Sequence, residues 1–434
     1  MFASILFSLG VSSILIFHLS SVSLSEVFLF LSLPLILSAS ASKMGTIFLS
    51  PYYAIDYLSS AMILLTIWVA TFLLLRKNSE MMNLSLLLLV VVMSALFMSN
   101  SFLNLFIFYE FSLIPTVYLI VGWGYQPERI SASLYLFFYT LVFSLPLLGF
   151  CIYFSLEMWS VFEVLSSESA SGISSWASII LLLSFLVKIP LFGIHFWLPK
   201  AHVEAPMQGS VMLAAVLLKG GGYGLIRVIK FVDIYSIKFF FVSLSSVGMV
   251  SAAIAVLLSL DLKTMVALSS VSHMNFSVLG MLTLTLSGVE GVIMMMIAHS
   301  LISSVLFFLV GMNYELFFSR SMFVNKLIMS RLPKLSMIWF MALALNLGLP
   351  PFLLMLGELL MTASIMGFWW LGLSLLLYVY FLMSGVYNLN LYNMISHGWE
   401  QLMEVPSRQV AVMDLLVILG WLAPLLPFLT MGIH

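Results

Sequence analysis

Val187-Lys188-Ile189-Pro190-Leu191-Phe192-Gly193-Ile194-His195-Phe196-Trp197-Leu198-Pro199-Lys200-Ala201-His202-Val203-Glu204-Ala205-Pro206 follows directly on a long apolar run. Proline lacks an amide N–H and its ring crowds the carbonyl one turn earlier, so Pro190, Pro199 and Pro206 exclude one regular helix here. The residues before the stretch, from roughly 175, and those after it, to roughly 230, are apolar enough to enter a bilayer. Backbone groups freed at membrane depth are tolerated only where they are buried in protein or line a water-filled cavity. The stretch therefore predicts a polytopic membrane fold with a broken helix and a hydrated path beside Lys188. Leu349-Pro350-Pro351-Phe352-Leu353-Leu354-Met355-Leu356-Gly357-Glu358 repeats the device with an acid in place of the lysine.

Outward from these two breaks the whole chain reads the same way. Apolar residues make up 63% of the sequence and charged residues 8%, and the mean hydropathy is +1.18, which no soluble surface accommodates. Windows long enough to span recur at roughly 2–17, 25–40, 58–76, 81–99, 103–121, 131–155, 175–196, 207–230, 237–260, 264–286, 289–314, 334–364, 366–393 and 410–430, about 14 helices in all. The polar connections are too short to fold alone, so 1–434 is expected to be one all-α membrane domain. Within it, 1–80 holds N-terminal helices, 81–230 and 237–393 form two inverted five-helix repeats, and 410–430 is a C-terminal helix. Each repeat has its proline-broken helix fourth, the pattern that marks ion sites near the midplane of inverted-repeat transporters.

Four ionisable residues lie within these runs: Glu110, Lys188, Lys219 and Glu358. A charge at the centre of a span costs about 2.5 to 3.5 kcal/mol on insertion scales, so such groups face a hydrated or protein-lined interior and mark ion or proton paths. His273, His299 and Lys263, with His195 and His202 at the first break, supply further titratable positions for a relay. Each has a plainer alternative. Glu110 and the two lysines could lock helices as ion pairs, Lys263 could snorkel to the interface beside Asp261, and His273 and His299 have hydroxyl neighbours that would satisfy a neutral imidazole. His195 and His202 are separated by Pro199 and no second ligand pair accompanies them, so no metal site is expected.

The composition also excludes whole classes. With 16 basic and 17 acidic residues and net charge −1, nothing indicates a nucleic-acid partner. The single cysteine, Cys151, excludes an intrachain disulfide and a cysteine-ligated iron–sulfur cluster. Gly220-Gly221-Gly222 follows Lys219 in an apolar run without a preceding strand, so it reads as close helix packing and not as a phosphate loop.

Tyr109-Glu110 through Pro115-Thr116, Gly122-Trp123 through Pro127-Glu128-Arg129, Tyr139-Thr140, Ser144-Leu145-Pro146, Lys188 through Pro206, Leu218-Lys219 through Tyr223-Gly224, Asp261-Leu262-Lys263, Ser272-His273-Met274, and Pro350 through Glu358 closely resemble the subunit 4 family of mitochondrial NADH:ubiquinone oxidoreductase, antiporter-like subunits of respiratory complex I. The resemblance is dense from about 85 to 365. It implies a proton-translocating subunit of the membrane arm, packed among other membrane-arm and antiporter-like subunits and lipids in the mitochondrial inner membrane. It also implies that Glu110 pairs with Lys188, that Lys219 leads toward the second half, that Glu358 guards the exit side, and that His273, His299 and Lys263 are relay positions. NADH, FMN, the iron–sulfur clusters and ubiquinone would belong to partner subunits, with no cofactor bound by this chain. One departure from the family pattern is Gly220, where a bulkier residue is usual. The scarcity of cysteine beside 30 methionines, and the absence of an Arg-rich leader after Met1, suit a chain made inside the organelle. Other readings are a subunit of a multisubunit sodium/proton antiporter and a scaffold whose charges are purely structural.

A mechanism follows from the residues. Burial favours the neutral amine of Lys188, whereas an ionised Glu110 nearby favours the ammonium, so moving or neutralising the acid switches the lysine between release and loading. Carrying one charge across costs about 2.3 kcal/mol per 100 mV, within the roughly 4 to 7 kcal/mol that burial can contribute.

Overall fold

Apolar runs without a polar face close their hydrogen bonds along one helix, the only open-ended way to cross hydrocarbon, and the computed structural model of the chain is built almost wholly of such helices. It describes residues 47–50, 52–76, 78–155, 175–229, 235–350, 352–368, 372–397 and 412–425. The expected spans at 2–17 and 25–40 and the connection at 156–173 lie outside the described residues.

A short antiparallel hairpin, β1 (Ile47–Ser50) and β2 (Tyr53–Ile55), precedes the first described span, a departure from the all-α expectation. Asp56 then caps α1 (Tyr57–Leu74), sharing a reciprocal capping box with Ser59. Helices α2 (Glu80–Met98), α3 (Phe102–Phe111), α4 (Leu113–Trp123) and α5 (Arg129–Ser155) follow. Ser112 interrupts the α3–α4 run three residues before Pro115, whose missing amide and bulky ring loosen the preceding turn. Helix α6 (Ser175–Lys188) ends on Lys188, short of the expected 196, because Pro190 cannot continue it. After the break come the short α7 (Trp197–Glu204) and α8 (Met207–Val228), which contains a π-helical turn at Leu213–Leu217 just before Lys219.

The rest is α9 (Tyr235–Leu258), α10 (Leu262–Leu282), α11 (Leu286–Phe317), a single turn α12 (Ile328–Arg331), α13 (Pro333–Asn346), α14 (Leu353–Phe368), α15 (Gly372–Ser396) and α16 (Val412–Leu422). The expected span 334–364 is thus two pieces, α13 and α14, split at Gly348-Leu349-Pro350. Among the described residues, 9 helical segments are long and apolar enough to cross a membrane, and Ser178–Lys188, Leu353–Gly367 and Val412–Leu425 are shorter apolar helices.

Two compact units share the chain. One holds the described residues up to Lys188 together with Ala215–Ile237; the other holds Ile189–Ala214 and the described residues from Lys238 onward. Two of the three unit boundaries fall at the Pro190 break and inside the π turn of α8; the third lies near the start of α9. In the first unit, α6 and the second part of α8 pack so closely that the Phe185 ring occupies the place a Cβ would take on Gly224. In the second, α11 and α14 meet backbone to backbone. A Cβ on Gly357 would lie 3.0 Å from the carbonyl oxygen of Gly291 and 3.0 Å from the amide of Met295. Small residues at such a crossing are how membrane helices gain packing without a hydrophobic driving force. Glu358 is the next residue, so this crossing fixes the helix that bears it.

Gly357→Ala is expected to cost about 1 to 3 kcal/mol, because the atoms in the way are backbone and one helix must shift. Gly367→Ala on the same helix meets nothing within 4 Å and gains up to roughly 1 kcal/mol from helix propensity. Thermal unfolding of the two variants in detergent separates the cases.

Candidate functional site

In the first unit the site forms where α3 ends. Tyr109, wholly buried, donates its hydroxyl to the carbonyl of Ser184 at 2.9 Å, which holds α6 alongside α3. The Lys188 ammonium donates to the Tyr109 carbonyl at 2.6 Å and lies 3.0 Å from the centre of the Tyr109 ring. Cation and ring face attract by roughly 2 kcal/mol when both are out of water. Tyr109 thus holds the ammonium with backbone and ring, a role that nothing in the sequence reading assigned to it. Glu110 is its chain neighbour, and both Glu110 carboxylate oxygens are shut from solvent and accept no hydrogen bond among the described residues. No ion pair within 4.0 Å joins Glu110 to Lys188 there, so the expected pairing is one of proximity through Tyr109 and not of contact. Lys219, 1% exposed, lies two residues past the π turn of α8, and the space beside the neighbouring Gly220 is taken by the tip of Met93, 3.0 Å from where a Cβ would be.

Further along α8, Tyr223 donates its hydroxyl to the Phe97 carbonyl at 2.9 Å, and Arg227 reaches both that hydroxyl and Asp56, the latter at 2.6 Å. This ion pair ties the start of α1 to the end of α8.

In the second unit the Pro190 break is capped by a side chain. Asn275 of α10 donates to the Pro190 carbonyl at 3.0 Å and accepts from the Phe192 amide at 3.2 Å, while also donating to Val271. A carboxamide carries a donor and an acceptor, which is what a broken helix lacks. Asn275 thus gives both of these groups a partner within the protein. His195 stacks between Phe192 and Phe196, with ring centres at 5.7 and 4.7 Å. His202 of α7 lies flat on Phe307 of α11 at 4.5 Å.

Lys263 is 3% exposed and does not snorkel. Its ammonium donates to the carbonyls of Val203 and Ala205 at 3.1 and 2.8 Å, the groups left open where Pro206 ends α7. Arg320 completes this end, 3.4 Å from Glu204 and 3.4 Å from Asp261.

His273 and His299 come together, ring centres 5.6 Å apart, from α10 and α11. Glu358 of α14 approaches His273 Nδ1 at 3.8 Å. Two tyrosines of α15 that the sequence reading missed, Tyr380 and Tyr387, also reach this imidazole, at 2.9 and 3.4 Å. Gly348 at the second break has φ +70, a left-handed conformation that side chains rarely adopt, and a Cβ there would fall 2.6 Å from Glu358 Oε2. The break and the acid are therefore built as one unit. The second unit thus gathers Glu358, His273 and His299, with Lys263 at the far end of α10 from them.

Residues 99–386 match the family model described as NADH:quinone oxidoreductase/Mrp antiporter, transmembrane. The chain belongs to this family. A NADH-ubiquinone oxidoreductase chain 4 of Ceratitis capitata is 40% identical over 362 residues, 81% of this chain and 80% of the relative. The chain 4 of Lumbricus terrestris is 38% identical over 393 residues, 86% of this chain and 85% of that one. Among solved structures, a chain of respiratory complex I from Thermus thermophilus with bound NADH superposes with TM-score 0.85 at 21% identity, covering 98% of this chain and 94% of that chain. The antiporter-family match takes in both helix breaks and every candidate residue from Glu110 to Glu358.

Asn275→Leu removes a donor and an acceptor at near-constant volume and strands the Pro190 carbonyl and the Phe192 amide. A loss of about 1 to 3 kcal/mol per stranded group is expected, read as lowered thermal stability of the detergent-solubilised chain; an unchanged midpoint would mean that water already serves these groups.

Proposed function

We propose that this chain is a proton-translocating, antiporter-like subunit of respiratory complex I, coupling electron transfer from NADH to ubiquinone in partner subunits to proton movement across the mitochondrial inner membrane. The observation that carries the reading is the identity to chain 4 relatives over about four-fifths of both sequences. The buried ionisable side chains inside apolar helices give that likeness its chemistry. As a whole the assembly is an H+-translocating NADH:ubiquinone reductase, and this chain is its energy-coupling part. Its partners are other membrane-arm subunits, neighbouring antiporter-like subunits among them, and lipids. NADH, FMN, the iron–sulfur clusters and ubiquinone are assigned to those partners; one cysteine, Cys151, cannot ligate a cluster.

In this reading the chain has about 14 spans arranged as two inverted repeats, 81–230 and 237–393. Glu110, Lys188 and Lys219 handle protons in the first, and Glu358 with His273, His299 and Lys263 in the second; His195 and His202 flank the first break. Lys188 is loaded while Glu110 is ionised and discharged when that charge is neutralised. Tyr109 serves both states, since its ring face holds the ammonium and its carbonyl takes an N–H from either form.

The family description also covers Mrp antiporters, which supports a second reading, a sodium/proton antiporter subunit without electron transfer. Native electrophoresis of gently solubilised membranes, with in-gel NADH oxidation and mass spectrometry, decides between them. This chain in a very large NADH-oxidising band supports the complex I reading, and its presence only in a smaller inactive assembly overturns it.

Glu110→Gln and Glu358→Gln are each expected to assemble and to lower the proton-to-electron ratio of reconstituted complex. Normal stoichiometry in both variants would remove the acids from the mechanism.

A further inference from the structure

Helix α15 presents Tyr380, Ser384, Tyr387 and Asn388 on one stripe, at helical spacings of four, seven and eight, and all four are buried. Burying hydroxyl and carboxamide groups on one face is costly unless each meets a partner. Asn388 accepts from Asn346 at 3.0 Å and donates to the Ser384 carbonyl at 3.0 Å, which ties α15 to the end of α13 just ahead of the Gly348 break. The two tyrosines, which also reach Ser272, take opposite sides of one imidazole, and Tyr387 joins the Asn388–Asn346 pair as well. Tyr380 Oη lies 2.9 Å from His273 Nδ1 and Tyr387 Oη 3.4 Å from His273 Nε2. Glu358 Oε1 stands 3.8 Å from the same Nδ1 that Tyr380 faces, just past hydrogen-bond range.

A neutral imidazole has one N–H and one bare nitrogen, whereas a phenol hydroxyl donates or accepts. Two hydroxyls on the two ring nitrogens are therefore satisfied together only when one donates and the other accepts. We propose that Tyr380 and Tyr387 are positioning residues that set which nitrogen of His273 exchanges its proton with Glu358; the proposal rests on the proton-translocation reading above. With His273 as imidazolium, Nε2–H donates to the Tyr387 oxygen and Nδ1–H donates to the Tyr380 oxygen, and Glu358 closes from 3.8 Å to take the Nδ1 proton. Transfer breaks the Nδ1–H bond and forms an O–H bond at Glu358, so imidazolium and carboxylate become neutral imidazole and carboxylic acid. The bare Nδ1 then accepts the Tyr380 hydroxyl, which turns from acceptor to donor. Tyr387 accepts from Nε2–H before and after, and so holds the tautomer in which Nδ1, facing the acid, is the nitrogen that exchanges.

The test uses assembled complex carrying Tyr380→Phe or Tyr387→Phe, alone and combined with His273→Gln, reconstituted in liposomes. Phenylalanine removes the hydroxyl and keeps the ring, which at Tyr380 packs on Phe276 at 5.4 Å. Proton pumping per electron is expected to fall between about twofold and tenfold in each single variant, the scale of one net hydrogen bond. In the His273→Gln background the same changes are expected to cost nothing further, because both act through His273. Normal pumping in the single variants, losses that add in full to that of His273→Gln, or failure of both phenylalanine variants to assemble would each overturn the proposal. Glu358→Gln is measured in the same series. If it pumps normally, the proton-translocation reading fails; if it fails to pump while the tyrosine variants pump normally, only the tyrosine proposal falls.

Discussion

Hydrocarbon offers no hydrogen bonds, so every backbone group released by a broken helix has to be met by the protein or by water it encloses, and the two proline breaks are where this chain answers that demand. At Pro190 a single carboxamide, Asn275, reaches across from α10 and supplies a donor and an acceptor. About three turns away along α10, where Pro206 ends α7, Lys263 takes the last free carbonyls. Helix α10 is thus the splint of the broken segment along its length, which explains why it is buried nearly all round. That burial has a second consequence. A helix that must be enclosed to splint the break also encloses whatever else it carries, and His273 lies two residues before Asn275.

The second break is solved by conformation more than by capping. Gly348 turns the chain left-handed and leaves room for the Glu358 carboxylate where a side chain would otherwise stand. The close crossing at Gly357 and Gly291 then fixes the helix that bears the acid. Two glycines and an acid within eleven residues are one construction: the first opens the space, the second sets the distance, and the third fills the opening. Proline explains where the helix stops, and glycine explains where the acid goes.

Class, breaks and charges were legible because they are extreme. A lysine in an apolar run and two prolines in succession have few explanations, and the breaks follow from proline, although the expected spans 175–196 and 334–364 both run past the observed helix ends at Lys188 and Asn346. What holds the charges was not legible. Tyr109 and Asn275 meet partners 79 and 85 residues away in sequence, and tyrosine and asparagine in a membrane helix carry no mark of their own. Lys263 beside Asp261 looked like an interfacial pair because sequence shows neighbours along the chain and not the carbonyls that Pro206 leaves open. The hairpin of β1 and β2 was missed for a related reason, since short strands beside long apolar helices have too little period to stand out. A usable signal did exist on α15. Tyr380, Ser384, Tyr387 and Asn388 make the only kind of polar row an apolar helix keeps, one aligned at helical spacing toward something that needs it.

The two units handle their charges differently, and the difference bears on what each can do. Lys188 is held by a ring face and a peptide carbonyl, and Glu110 is the residue next to its holder. Such a group responds to a charge that arrives or leaves. His273 is held by hydroxyls and faced by a carboxylate, groups whose chemistry is to exchange or redirect protons along hydrogen bonds. The first arrangement is suited to sensing and the second to conducting. A module that couples a distant event to proton movement needs both.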